Sequence, residues 1–169
     1  MVVEIPLRHG LVAIVDDADS IFANEHWAPT KKKTDNTWYA ARSKRRAPLR
    51  PMRILLHRAI LGITDPKIEV DHINGNGLDC RRENMRQATR SQNSYNCRKH
   101  AGGTSRYKGV SWNKTNKKWF VQIAISVGGQ RSFRYLGRFE DEVEGALAYD
   151  RAAQEMFGEF ARLNFPEGA

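Results

Sequence analysis

Between Asp71 and Asn96 the chain reads D-H-I-N-G-N-G-L-D-C-R-R-E-N-M-R-Q-A-T-R-S-Q-N-S-Y-N. An acid and an imidazole, Asp71 and His72, stand side by side at the end of an apolar run containing Ile68 and Val70. A carboxylate can hold a hard divalent cation, and an adjacent imidazole can take a proton from water. Asparagine side chains, here Asn84, Asn93 and Asn96, can complete a metal shell through oxygen or fix the His ring from its other nitrogen. Together these residues are an inventory for metal-assisted phosphodiester hydrolysis. Neighbours on a strand point to opposite faces, so Asp71 and His72 can approach one phosphate from two sides. Arg81, Arg82, Arg86 and Arg90 surround the stretch with charge suited to phosphate. A plain Asn/Gly turn would explain Gly75 and Gly77 but neither the acid–imidazole pair nor the arginines.

The rest of the 169-residue chain must position and serve those groups. Net charge is +9 with a pI near 9.8, which favours a polyanionic partner. No apolar run approaches a membrane span, and the first ten residues lack the order of a signal peptide. Cys80 and Cys97 are the only cysteines and form no C-x-x-C, so a zinc cage or disulfide framework has little to build on. That points to a reduced, intracellular setting. Residues 105–139 hold eight Lys or Arg and no Asp or Glu, whereas 140–169 hold two and eight. This abrupt reversal predicts one surface for phosphate and another turned away.

The text D-H-I-N-G-N…L-D…R-x-E-N-M-R…Q-N…N resembles the HNH nuclease motif of phage-type homing endonucleases. The resemblance implies a β-β-α-metal finger with Asp71 and Asn93 as metal ligands. It also implies His72 as general base, Asn84 orienting the His72 ring, Mg²⁺ or Mn²⁺ rather than zinc, and 5′-phosphate and 3′-hydroxyl ends. Asn76 and Asn96 are read as loop or helix-face hydrogen-bonding groups. A phage-encoded protein would act in the cytoplasm of a bacterial host. One finger per chain predicts a nicking monomer, with a dimer as the route to double-strand cleavage.

Upstream, residues 2–7 and 11–15 around Arg8-His9-Gly10 predict a hairpin. Asp16 or Asp17 could cap a short helix that buries Ile21, Phe22 and Trp27. Basic stretches at 30–36 and 43–51 read as exposed connections contacting phosphate, on either side of a short strand, Thr37 to Arg42. Met52, Leu55, Leu56, Ala59 and Ile60 recur at helical spacing, with Gly62 as a stop and His57 packing behind the finger against a backbone carbonyl.

Past a linker at 100–104 that includes His100, alternation predicts strands at 108–112, 118–126 and 131–137, then a helix over 141–157. The helix is expected to bury Val143, Ala146, Leu147, Ala153, Met156 and Phe157. The segments Y-K-G-V-S-W, K-W-x-V-Q-I, Y-L-G-R-F, A-Y-D-R-A-A and G-E-F-A-R-L-N-F-P resemble the ethylene-response-factor (APETALA-type) DNA-binding domain. That implies a sheet lying in the major groove with the helix behind. By position, the reading side comprises Lys108, Ser111, Asn113, Lys118, Gln122, Arg131 and Tyr135, with Arg106, Lys117 and Arg134 as further contacts. Ser111, Asn113 and Gln122 depart from the plant pattern, so its target sequence does not transfer.

The expectation is therefore an α+β chain with four parts. Residues 1–50 form a β-rich basic region and 51–99 an HNH core. A linker at 100–104 then leads to a three-stranded antiparallel sheet packed on one helix at 105–166. Its function is a metal-dependent DNA endonuclease acting on double-stranded DNA. The alternative is a non-catalytic DNA-binding regulator that keeps the finger as scaffold, and a zinc-finger interaction protein fits the ligand spacing poorly.

Overall fold

The computed structural model describes residues 1–31, 37–46, 49–99, 102–127 and 130–166. The chain divides into two compact units, Met1–Thr89 and Arg90–Ala169. The division precedes the expected linker at 100–104. The reason is that Tyr95 stacks on Phe157, with ring centroids 3.7 Å apart, and accepts a hydrogen bond at its carbonyl from Lys108 Nζ. No helix of the described residues is long and apolar enough to cross a membrane.

The first unit opens with the expected hairpin, β1 (Val2–Pro6) against β2 (Val12–Asp16). A 3-10 helix follows at Asp17–Asn24, but no side chain caps it, and Asp16 Oδ2 accepts from the Arg82 amide instead. Ile21 is 70 % exposed, so Trp27 and the half-buried Phe22 alone supply the predicted apolar side. Next come β3 (Ala28–Lys31), β4 (Trp38–Arg46) and β5 (Leu49–Leu55), an antiparallel sheet with β4 at its centre. The stretch read as an exposed basic connection thus contributes to two paired strands. Residues 32–36 and 47–48 lie outside the described residues.

Met52 and Leu55 belong to β5 rather than to the predicted helix, which shrinks to α1 (Leu56–Ile60). Backbone pairing of Lys44 with Met52 and Ala41 with Leu55 overrides the 3.6-residue apolar spacing, and Met52 is left 44 % exposed. Leu56 and Ile60 enter the core beside Ile5, Ala13, Val15 and Trp27. Arg58 then ties down the connection after α1 by donating to the carbonyls of Asp65 and Ile68, both at 2.6 Å.

That connection leads to β6 (Glu69–His72), paired antiparallel with β7 (Met85–Ala88) in the register Asp71 to Arg86 and His72 to Met85. The loop between them is stitched to β2: Ile14 N donates to Leu78 O and Cys80 N to Ile14 O. Gly75 has φ 72°, the left-handed turn the sequence anticipates. Gly77 serves a different purpose. A Cβ there would lie 2.5 Å from Tyr39 Cε1 and 2.6 Å from the Trp38 carbonyl oxygen, so only glycine lets β4 come this close.

The second unit begins with α2 (Arg90–Tyr95). Its sheet is β8 (Val110–Asn113), β9 (Lys118–Val127) and β10 (Gln130–Phe139), antiparallel with β9 central, and α3 (Glu142–Phe157) packs against it. The turn at 128–129 lies outside the described residues. Asp141 caps α3 by accepting from the amides of Val143 and Glu144. Val121, Ile123, Ala146 and Ala153 form a fully buried seam. Val143 and Leu147 were expected in it but are 38 % and 41 % exposed; Gly145, Tyr149 and Asp150 are buried instead. Asp150 accepts from Asn164 and Phe165, which fastens the tail across the helix.

Replacing Gly77 by Ala forces Tyr39 or the Trp38 peptide to move. We expect urea unfolding to show a loss of about 1–3 kcal/mol, the usual range for overpacking; an unchanged midpoint would contradict this close approach.

Candidate active site

Strand β6 places Asp71 and His72 on opposite faces, and both are buried, at 3 % and 5 % exposure. On one face Arg86, directly across on β7, donates from Nε and Nη2 to Asp71 Oδ2 at 2.8 and 2.7 Å. On the other face the His72 ring meets two others. Its centroid lies 5.0 Å from that of His57, edge-on at 86°, and 5.8 Å from that of Tyr39. Tyr39 and His57 are themselves 5.4 Å apart. The pleat thus gives the carboxylate an ionic wall and the imidazole an aromatic one.

Burial lowers the His72 pKa from 6.5 to about 4, against the raising influence of Asp71 and Asp79. His57 falls to about 3, chiefly by burial and secondarily by repulsion from His72 and Arg58. His72 is accordingly a neutral base near pH 7, as proton abstraction requires. The bond expected from His57 to a backbone carbonyl is not made at Nδ1, which is buried with no hydrogen-bond partner.

Asn84 departs from its expected task. Its Nδ2 donates to the Asp79 carbonyl at 2.8 Å and its Oδ1 accepts from the Asn74 amide at 3.0 Å. The amide therefore locks the 73–84 loop rather than bonding the His72 ring. Asp79 completes this lock by accepting from Asn74 Nδ2 and Arg81. The Arg81 hydrogen bond is the main reason its carboxyl titrates below the ordinary range. Asn76 is a loop group as anticipated: Oδ1 accepts from Leu78 N and its carbonyl from Asp79 N.

Three of the four arginines read as phosphate contacts are engaged by carboxylates. Arg81 meets Asp79 and Glu83, Arg82 meets Asp19, and Arg86 meets Asp71. Arg90 is exposed at the start of α2. Asn93 lies on α2 in the second unit, where its carbonyl accepts from Cys97 Sγ, and Asn96 is buried just beyond that helix. Cys80 belongs to the core, where burial pushes its thiol up to about 12.

A divalent cation suits the donors available. Asp71 offers hard carboxylate oxygen, with Arg86 donating to its Oδ2. Among the described residues no three His, Cys, Asp or Glu side chains cluster as a metal cage. Substrate oxygen and water would complete such a shell, the usual manner for Mg²⁺.

In the second unit the outer sheet surface collects Ser111, Gln122, Arg131 and Tyr135, as read from the sequence. It also carries Phe120, which alternation places with Gln122 opposite Val121, and Phe133, which the sequence reading does not single out. Phe120 stacks on Tyr135 at 5.0 Å, the Arg131 guanidinium lies over Phe133, and Phe133 and Tyr135 are each more than half exposed. Strand alternation was the available signal for them. Arg134 pairs with buried Ile123 and so points off this face, yet is exposed. Lys117 is exposed in the turn, and Arg106 lies over Tyr107. Others have local duties. Asn113 Oδ1 accepts from Thr115 and Asn116, Lys118 pairs with Glu140, and Lys108 faces Tyr95 O, its pKa lowered by burial to about 8.

The HNH endonuclease family model matches residues 56–95, from α1 through α2. Over 94 residues the chain is 34 % identical to Protein 3.8 of Escherichia phage T7, covering 56 % of this chain and 74 % of that protein. It is 42 % identical over 81 residues to Dehydration-responsive element-binding protein 2E of Arabidopsis thaliana, covering 42 % of this chain and 33 % of the plant protein. Against APETALA2-like protein 2 of Oryza sativa subsp. japonica it is 40 % identical over 65 residues, with 38 % and 14 % covered. The chain thus spans only a third or less of these two plant relatives. It belongs to the HNH endonuclease family and carries a domain of the APETALA2/ethylene-response-factor type.

Two imidazoles kept neutral by burial make stability depend on pH. Their folded pKa values lie below the unfolded value, so the unfolded chain binds more protons as pH falls from about 6.5 toward 4. Stability is full above that window and declines within it, by up to about 1.4 kcal/mol per pH unit for each histidine. Urea titrations at pH 7.5, 6 and 5 should show the decline; a flat profile would contradict the burial.

Proposed function

We propose that the chain is a site-directed DNA endonuclease of the homing type that nicks double-stranded DNA by a one-metal HNH mechanism. The observation that carries the reading is the back-to-back burial of Asp71 and His72 on one short strand, each against its own wall. In this reading Asp71 and, by the family motif, Asn93 hold Mg²⁺ or Mn²⁺. When bound, the cation supplies positive charge for the scissile phosphate and the departing 3′ oxygen. His72, neutral at physiological pH, takes the proton from the attacking water, and its ring nitrogen holds that proton while the phosphodiester bond breaks. Arg86 fixes the Asp71 carboxylate through Oδ2. Asn84 acts at one remove, by locking the loop that follows His72.

The second unit supplies the DNA grip. Its outer sheet surface combines exposed Arg131, Ser111 and Tyr135 with half-buried Gln122, within a segment free of acidic residues. Backbone phosphates would set the register, and the polar and aromatic side chains would meet base edges. With one HNH finger per chain, a monomer cuts one strand per encounter. A phage-encoded protein of this kind acts in the cytoplasm of its bacterial host.

Nicking of supercoiled plasmid and genomic DNA by the wild type beside His72→Ala tests the proposal. The mutant should cut about 10²–10⁴-fold more slowly while binding DNA nearly as well. Equal rates would remove His72 from the base role. Binding by both proteins with no cutting by either would favour the regulator reading.

A further inference from the structure

Resting on His72 as the base, we infer that His57 and Tyr39 are positioning residues that set the plane of the His72 ring. A base must present its lone pair within roughly 10–20° of the productive direction. Strand β6 fixes the His72 backbone, but the torsion that turns an imidazole about its own axis is broad and roughly two-fold. Asn84, the residue expected to hold the ring, commits both ends of its amide to the loop backbone. Two ring walls stand against His72, with centroids at 5.0 and 5.8 Å.

These walls are held firmly. His57 sits on α1 between Leu56, which is fully buried, and Ile60 at 5 % exposure one turn on. Tyr39 lies on the central strand β4, pressed against Gly77, where a Cβ would fall within 2.5 Å of its ring. His57 is 5 % exposed, and its Nδ1 is buried with no hydrogen-bond partner. A buried polar nitrogen left unsatisfied is unfavourable, and an apolar side chain would pack there without that cost. The edge-on contact with His72 at 86° is what this placement provides.

The test measures single-turnover nicking, DNA Kd and thermal midpoint for His57→Leu and His57→Phe, each in the wild-type and His72→Ala backgrounds. In the wild-type background, His57→Leu should slow cleavage about 10–100-fold with Kd unchanged, and His57→Phe, which keeps a flat ring, should recover most of the rate. In the His72→Ala background, His57→Leu should cause no further loss, because the ring it orients is gone. An equal loss in both backgrounds would mean that His57 acts only through the fold, and wild-type rates for His57→Leu would mean that the wall is dispensable; either result overturns the inference. If His72→Ala itself cuts like the wild type, the base assignment fails instead, which is a separate result.

Discussion

The pleat of a four-residue strand is the constraint on which the first unit depends. Because neighbours on β6 face opposite ways, a carboxylate and an imidazole adjacent in sequence acquire separate surroundings. Asp71 pairs with a guanidinium while burial keeps His72 neutral among rings. Slipping the β6–β7 register by one residue would exchange those surroundings and place the acid in the aromatic pocket. Much of the unit works to prevent that slip. Asn84 and Asp79 lock the connecting loop, Ile14 stitches it to β2, and Arg58 secures the approach to β6.

The same residues show why charge counted along a sequence overstates the phosphate-binding surface. Arg81, Arg82 and Arg86 look like a basic ring around the motif, yet each closes on a carboxylate. A buried acid such as Asp19, Asp71 or Asp79 needs a cation beside it, and these arginines meet that need. In the second unit, by contrast, Lys117, Arg131 and Arg134 remain exposed. The proposed grip on DNA therefore rests mostly on the second unit.

Much of this was legible in the sequence, and the failures share a cause. Alternation revealed β1, β2, β9 and β10, and the Asp71–His72 pair stands on one short strand as read, because these signals depend on near neighbours. Met52 and Leu55 imitate a helix, but their strand is imposed by pairing with β4, which a local pattern does not record. Val143 and Leu147 fit the apolar stripe of α3, yet its contact runs through Gly145, Ala146 and Tyr149. Tyr39 carries no mark of its role, since it meets His72 only once β4 is folded over Gly77. Asn84 was identified as important for a task other than the one it performs.

The most direct test of the account is the chemistry of the product. Supercoiled DNA incubated with the protein and Mg²⁺, then treated with DNA ligase, reports both cleavage and the ends it leaves. Open circles should form with Mg²⁺, fail to form with chelator, and be resealed by ligase if the nick carries 5′-phosphate and 3′-hydroxyl. Intact supercoils under every condition, or nicks that form equally well in chelator, would contradict it.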